Sequence, residues 1–184
     1  MDKGSQEAVC PGKEYEMIRR PFLSLGALLL GVTLATAQPV PVTWTAYADP
    51  VYGFSAELPL GLFSVVQAEG SPGIMLAEAG GEAKLSLYGG PAEGMNRDAL
   101  EAHLSAGEQI GSITYRTGGD SWFVLSGFYE PLGPGDLTIF YTKVMFSPDH
   151  QTFSAFEISF PADEKPRFEA LVERFEDNFT RPRG

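Results

Sequence analysis

The chain has 184 residues, 43% of them apolar and 12% aromatic, enough for one domain with its own core and too much for a disordered protein. Its net charge of −11 argues against nucleic acids and anionic membrane surfaces, which both need basic patches. Two His and one Cys exclude a His/Cys-rich metal cluster and a disulfide scaffold.

The first predicted element starts at Met17. Ile18, Arg19 and Arg20 make a short basic region, residues 22–34 are uncharged and rich in Leu, Ala and Gly, and Ala35-Thr36-Ala37 precedes Gln38. Basic start, apolar middle and small-x-small end are the layout of a signal peptide over 17–37, cut between Ala37 and Gln38. The apolar middle is shorter than the roughly 20 residues of a spanning helix, so no stable membrane span is expected after cleavage. Residues 1–16 are polar, lack periodicity and precede a leader with its own Met, which points to a misassigned start or an n-extension. Arg19-Arg20-Pro21-Phe22-Leu23 fits the twin-arginine pattern in part. Ile18 stands where Ser or Thr is usual, which favours the general secretory route. Cys10 lies upstream of the cut, so the processed chain has no Cys, no lipid attachment and no disulfide. The removed segment carries four residues of each sign, which leaves the whole −11 on residues 38–184.

Residues 38–45 read as an extended, Pro-containing lead-in, 46–180 as one domain and 181–184 as a tail. Strand-like runs follow at 43–47, 54–58, 62–67, 73–77, 83–88, 112–116, 122–129, 137–146 and 152–160, punctuated by Gly and Pro. Gly118-Gly119-Asp120 predicts a hairpin turn, and Pro148 fits the second position of a type I turn over Ser147-Pro148-Asp149-His150. The last four strands therefore read as an antiparallel meander. Asn96 predicts an N-cap for a helix over 97–107, with Leu100, His103 and Leu104 on one side. Asp163 is the expected N-cap of a second helix reaching about Phe179, with Pro166 in its first turn. Phe168, Leu171, Val172, Phe175 and Phe179 form its apolar stripe.

Both faces of 122–129 and of 139–146 are largely apolar, with Phe140, Val144 and Phe146 on one side and Ile139, Tyr141 and Met145 on the other. A sheet with one wet face would alternate apolar and polar. The strands are therefore expected to be covered on both sides by the two helices. That gives an α+β fold, a three-layer α/β/α sandwich around a mainly antiparallel sheet.

Several segments together resemble a known superfamily. They are Tyr52-Gly53-Phe54-Ser55 with Leu58-Pro59, Tyr115 with Trp122-Phe123-Val124-Leu125-Ser126-Gly127, Phe140-Tyr141-Thr142-Lys143-Val144, and Phe156-Glu157-Ile158-Ser159-Phe160-Pro161. The chain is similar over about 46–179 to small exported bacterial proteins of unassigned function with the PsbP-like fold. That superfamily also includes a photosystem II extrinsic subunit and a Ran-binding import factor. The resemblance implies an antiparallel sheet between helices and a role in binding or assisting larger assemblies. No functional residue of the photosystem or Ran-binding members matches onto this sequence, so neither role is carried over.

Chemistry-bearing motifs are sparse. There is no His-x-x-x-His, Gly-x-Ser-x-Gly, P-loop or Gly-x-Gly-x-x-Gly. No catalytic, cofactor-binding or metal-ligating residue is therefore assigned, and no cofactor is expected. His103 reads as a partly buried structural imidazole and His150 as part of a solvated turn beside Asp149. Glu169, Glu173, Glu176 and Asp177 read as a solvated acidic helix face. The binding candidates are Lys143 and Glu157. With the meander registered about the Pro148 turn they are expected to face each other, as a structural ion pair or as a polar spot in a ligand groove.

Three functions follow as expectations. The first is an exported, non-catalytic binding or accessory module of the bacterial envelope, periplasmic or secreted, with an envelope protein as partner and no nucleic acid. The second is a carrier of a small ligand or cation in a groove beside the sheet. The third is an unrecognised hydrolase depending on His103 or His150.

Overall fold

The structure, a computed structural model, describes residues 42–66 and 73–184. The predicted leader at 17–37, the segment before it and residues 38–41 lie outside the described residues, as does Gln67 at the end of the third predicted strand. Along the chain the elements are β1 (Thr43–Ala48), β2 (Ser55–Leu60), β3 (Phe63–Val65), β4 (Ile74–Glu78), β5 (Lys84–Pro91) and α1 (Arg97–Ser105). After α1 come β6 (Ile110–Gly119), β7 (Trp122–Tyr129), β8 (Thr138–Phe146), β9 (Thr152–Pro161) and α2 (Lys165–Asn178).

The strands form one sheet in the order β1-β2-β3-β4-β5-β9-β8-β7-β6. Neighbours pair antiparallel except β2 and β3, which meet in parallel through Leu60 and Phe63. The β6–β9 meander and both helices occupy their predicted places. The two central strands come from distant parts of the chain: β9 is the last strand in sequence and lies between β5 and β8.

Two cores sit on opposite sides of the sheet. On one side α2 lays Phe168, Leu171 and Phe175 over Leu58, Leu76, Leu85, Phe156 and Ile158. On the other side Leu100 of α1 sits with Phe123, Leu125, Phe140, Val144 and Phe146. Residues 139–146 divide between these faces as their alternation requires. The architecture is the expected three-layer α/β/α sandwich. No helix among the described residues is long and apolar enough to cross a membrane.

Three local readings change. Gly118 and Gly119 belong to strand β6, and the turn is Asp120-Ser121, because Gly119 pairs with Trp122. A side chain at Gly118 would run into Arg97 and the Trp122 carbonyl, so the glycines serve packing rather than turning. Asp163 does not cap α2: Ala162–Glu164 form a 3-10 turn that leads into the helix, whose N-cap position is Glu164 without a side-chain bond. Residues 181–184 are not a separate tail. Thr180 exchanges bonds with Ser55, and the Arg183 N–H donates to the Tyr52 carbonyl at 3.0 Å.

Ion pairs fasten the helices to the sheet. Glu101, buried on α1, takes Arg97 at 2.6 Å and Arg116 of β6 at 2.9 Å. Glu78, buried at the end of β4, takes Arg167 of α2 and accepts from the Ala83 N–H. Arg174 pairs with Glu57 and lies 4.2 Å over the ring of Trp44.

Candidate functional site

The predicted facing pair does not form. Glu157 lies opposite Thr142, while Lys143 lies opposite Phe156. The type I turn is present, with His150 N–H donating to the Ser147 carbonyl at 3.0 Å. The chain then needs Gln151 before it re-enters the ladder, so Ser147 closes on Thr152 and the register moves by one residue. His150 absorbs the reversal with φ of 58°. A one-residue shift turns a side chain to the other face of a sheet. Lys143 therefore points to the α2 side, where it pairs with Glu176 at 3.4 Å and lies 5.8 Å from the ring of Trp122.

Glu157 points to the α1 side and organises a polar cluster there. The Tyr129 hydroxyl donates to its Oε1, and the Thr142 hydroxyl donates to Oε2 at 2.9 Å. Burial pushes the Tyr129 phenol far above its ordinary value of 10.0, and the charge and hydrogen bond of Glu157 push it further. Tyr88 is raised for the same two leading reasons, burial first and the Glu157 charge second. On the other side of the sheet Tyr141 is raised by burial and by its hydrogen bond to Glu176.

These phenols allow a direct check. An unfolded Tyr ionises near 10.0, whereas Tyr88, Tyr129 and Tyr141 stay neutral in the fold at that pH. Stability should be intact below pH 10.0 and fall as pH climbs from there toward the raised native values, because only the unfolded chain then releases these protons. A phenolate absorbance titration of native and denatured protein measures this. Glu157→Gln is expected to move Tyr129 part of the way back, burial being the larger cause. An unchanged titration would show that Glu157 does not act on the phenol.

Glu157 stands at the boundary of two spaces. Inward, a cavity of about 50 Å³ lies beneath α1 between Tyr88, Leu104, Ser105, Thr142 and Glu157. Outward, a groove of about 900 Å³ crosses the sheet. Its floor is the α1-side face of three adjacent strands, where Met75 pairs with Ser86 and Ser86 with Glu157, and where Ala77 pairs with Lys84 and Lys84 with Ser159. The chain from Tyr129 into the loop that precedes β8 forms one wall, with Pro131 and Leu132. The groove exists because α1 is short: it covers β7 and the Tyr88 end of β5 with the neighbouring part of β9, and leaves the face at residues 75–77, 84–86 and 157–159 without a helix.

The other singled-out residues lie elsewhere. His103 is exposed on α1, not partly buried, because the inward line of that helix is Leu100, Glu101 and Leu104. His150 stacks on Phe146 with centroids 5.5 Å apart. Among the described residues no group of three His, Cys, Asp or Glu side chains is placed to hold a metal ion. The acidic face of α2 is partly neutralised, Glu169 by Lys165 and Glu176 by Lys143, while Glu173 and Asp177 are exposed.

Sequence reasoning found Glu157 but not its partners. A signal was available: Thr142 is the one polar residue between Phe140, Val144 and Phe146 on its face of β8. The groove acids Glu82, Glu108, Glu130 and Asp136 come from three different loops, the last two from the β7–β8 connection, and carry no shared pattern.

No family model matches the chain, and no curated protein matches it. Solved structures do. The solution structure of cyanobacterial PsbP from Synechocystis sp. PCC 6803 superposes with a TM-score of 0.54 at 15% identity, covering 80% of this chain and 98% of that one. The crystal structure of the Ran-binding protein Mog1p of Saccharomyces cerevisiae gives 0.56 at 8% identity, covering 76% and 96%. A point mutant of Mog1 gives 0.52 at 9% identity, covering 77% and 97%. The fold is PsbP-like, and at these identities the similarity concerns the fold alone.

Proposed function

We propose that the protein is an exported, non-catalytic binding or accessory module of the bacterial envelope, and that it docks a partner in the groove on the α1 side of its sheet. The observation that carries this reading is the groove itself, a concave face of three strands without a helix over it, with Met75 47% and Leu132 96% exposed at its surface. Export is supported by the basic, apolar and small-x-small order of residues 17–37. A binding role is supported by the scaffold, since Mog1p bears the name of a Ran-binding protein. The cavity of about 50 Å³ beneath α1 is too small for an organic ligand, which favours a partner received in the groove over an internal carrier. The two imidazoles lie on the outer side of α1 and in the β8–β9 turn, while Glu157 is held by hydroxyls, an arrangement suited to recognition rather than to proton transfer.

The test is a photo-cross-linking side chain placed at Leu132 in the host cell, with Glu173 as a control position on α2, combined with fractionation and N-terminal sequencing. An envelope protein attached through Leu132 and not through Glu173, on a chain that begins at Gln38, is the expected result. A chain retained in the cytoplasm with its leader would overturn export. Adducts of equal yield at both positions would overturn the groove.

A further inference from the structure

We infer that the groove receives an extended, basic segment of its partner, with cationic side chains on its acidic rim and an apolar side chain between Met75 and Leu132. This inference rests on the reading of the groove as a docking face and adds the chemistry of the occupant. It stands on how the protein distributes its charges. Arg97, Arg116, Lys143, Lys165, Arg167 and Arg174 are all held in ion pairs by carboxylates of the helices and of the strands beneath them. None of these cations lines the groove, where Glu82, Glu108, Glu130, Asp136 and Glu157 stand with Lys84 as the single cation. Glu82, Glu108 and Glu130 have no ion-pair partner among the described residues. Six of the protein's cations are thus held by carboxylates outside the groove, and the groove itself keeps an excess of negative charge. A concave surface with an excess of one sign concentrates its field and draws the opposite charge.

The apolar part of the groove selects among cations. A lone metal ion or a linear amine has nothing to place against Met75 and Leu132. A nucleic acid or an anionic lipid headgroup meets repulsion from the rim. An extended peptide presents alternate side chains to a surface, so Lys or Arg can reach the rim while an intervening apolar residue covers the floor. The volume of about 900 Å³ accommodates several residues of such a segment.

The test uses the purified full chain and a synthetic peptide alternating Lys and Leu. Two control peptides carry Glu in place of Lys, or Ser in place of Leu. Calorimetry gives affinity and amide chemical shifts give position. The Lys–Leu peptide should bind with shifts at Met75, Ser86 and the segment from Tyr129 to Leu132, and binding should weaken as salt rises. Glu130→Lys should weaken it roughly tenfold, since one contact is lost and a like-charge contact is gained, and Leu132→Ser should also weaken it. Both positions are exposed, so neither variant threatens the fold. Glu173→Lys changes the net charge equally on α2 and should leave binding unchanged. Equal weakening by Glu130→Lys and Glu173→Lys, equal binding of the Glu peptide, shifts confined to another face, or no binding would each overturn the inference. A partner peptide cross-linked through Leu132 that lacks Lys and Arg would overturn it while leaving the docking face in place.

Discussion

Replacing Phe156 with Ala is expected to lower the unfolding free energy by about 3–5 kcal/mol, the range for emptying a fully buried aromatic site. Phe156 lies on β9 at the centre of the sheet and is 0% exposed. Its ring is 6.0 Å from Tyr141, 5.4 Å from Phe175 and 5.2 Å from Phe179, so one side chain joins the sheet to the last turn of α2 and the chain beyond it. The cavity cannot collapse easily, because the strands on either side fix the backbone through the pairings of Phe156 with Leu87 and with Lys143. Urea unfolding checks the magnitude. Hydrogen exchange should show protection lost in α2 while α1, on the opposite side of the sheet, keeps its own. Equal loss in both helices would mean that the two cores do not respond separately.

The second large effect comes from adding atoms. Gly127 of β7 faces a segment of β6 that carries two register irregularities, between Ile110 and Ser112 and between Ile113 and Tyr115. The bulged strand leans into the space a side chain would occupy: a Cβ on Gly127 would overlap the Ser112 carbonyl and lie 2.8 Å from the Ile113 Cα. Both obstacles are backbone, so relief requires moving a strand. Gly127→Ala is expected to cost about 1–3 kcal/mol or more, with an unchanged denaturant slope if the native state stays intact. Gly133→Ala, where a Cβ meets nothing within 4 Å, serves as the control and should be close to neutral. A neutral Gly127→Ala would mean that β6 yields at its bulges.

Much of this fold is legible in the sequence because the strands are strongly patterned. Phe140, Val144 and Phe146 against Ile139, Tyr141 and Met145 identify a strand buried on both faces, and with it the need for two helical covers. The resemblance to PsbP-like proteins points the same way. The misplaced turn and the lost facing pair share one cause, a single-residue ambiguity where local signals meet tertiary packing. The Ser147–His150 turn is correct, yet one further loop residue decides which face Lys143 takes. Glu101 shows a second limit. A carboxylate on a short helix reads as solvent-facing until Arg116, which arrives from a strand, pairs with it. The groove is the least legible feature, because it is set by where a helix stops covering a sheet rather than by any residue.

The strand order has a consequence for how the protein comes into being. The first five strands and the next three are separated in the sheet by β9, which is made after all of them. A nascent chain leaving the ribosome therefore holds two half-sheets with apolar faces and no shared neighbour until its final portion is synthesised. Pairings between residues so far apart in sequence also form slowly. The sheet therefore stays open for most of the chain's synthesis, which would suit the export proposed above. The sheet closes only once its C-terminal strand and helix have been made.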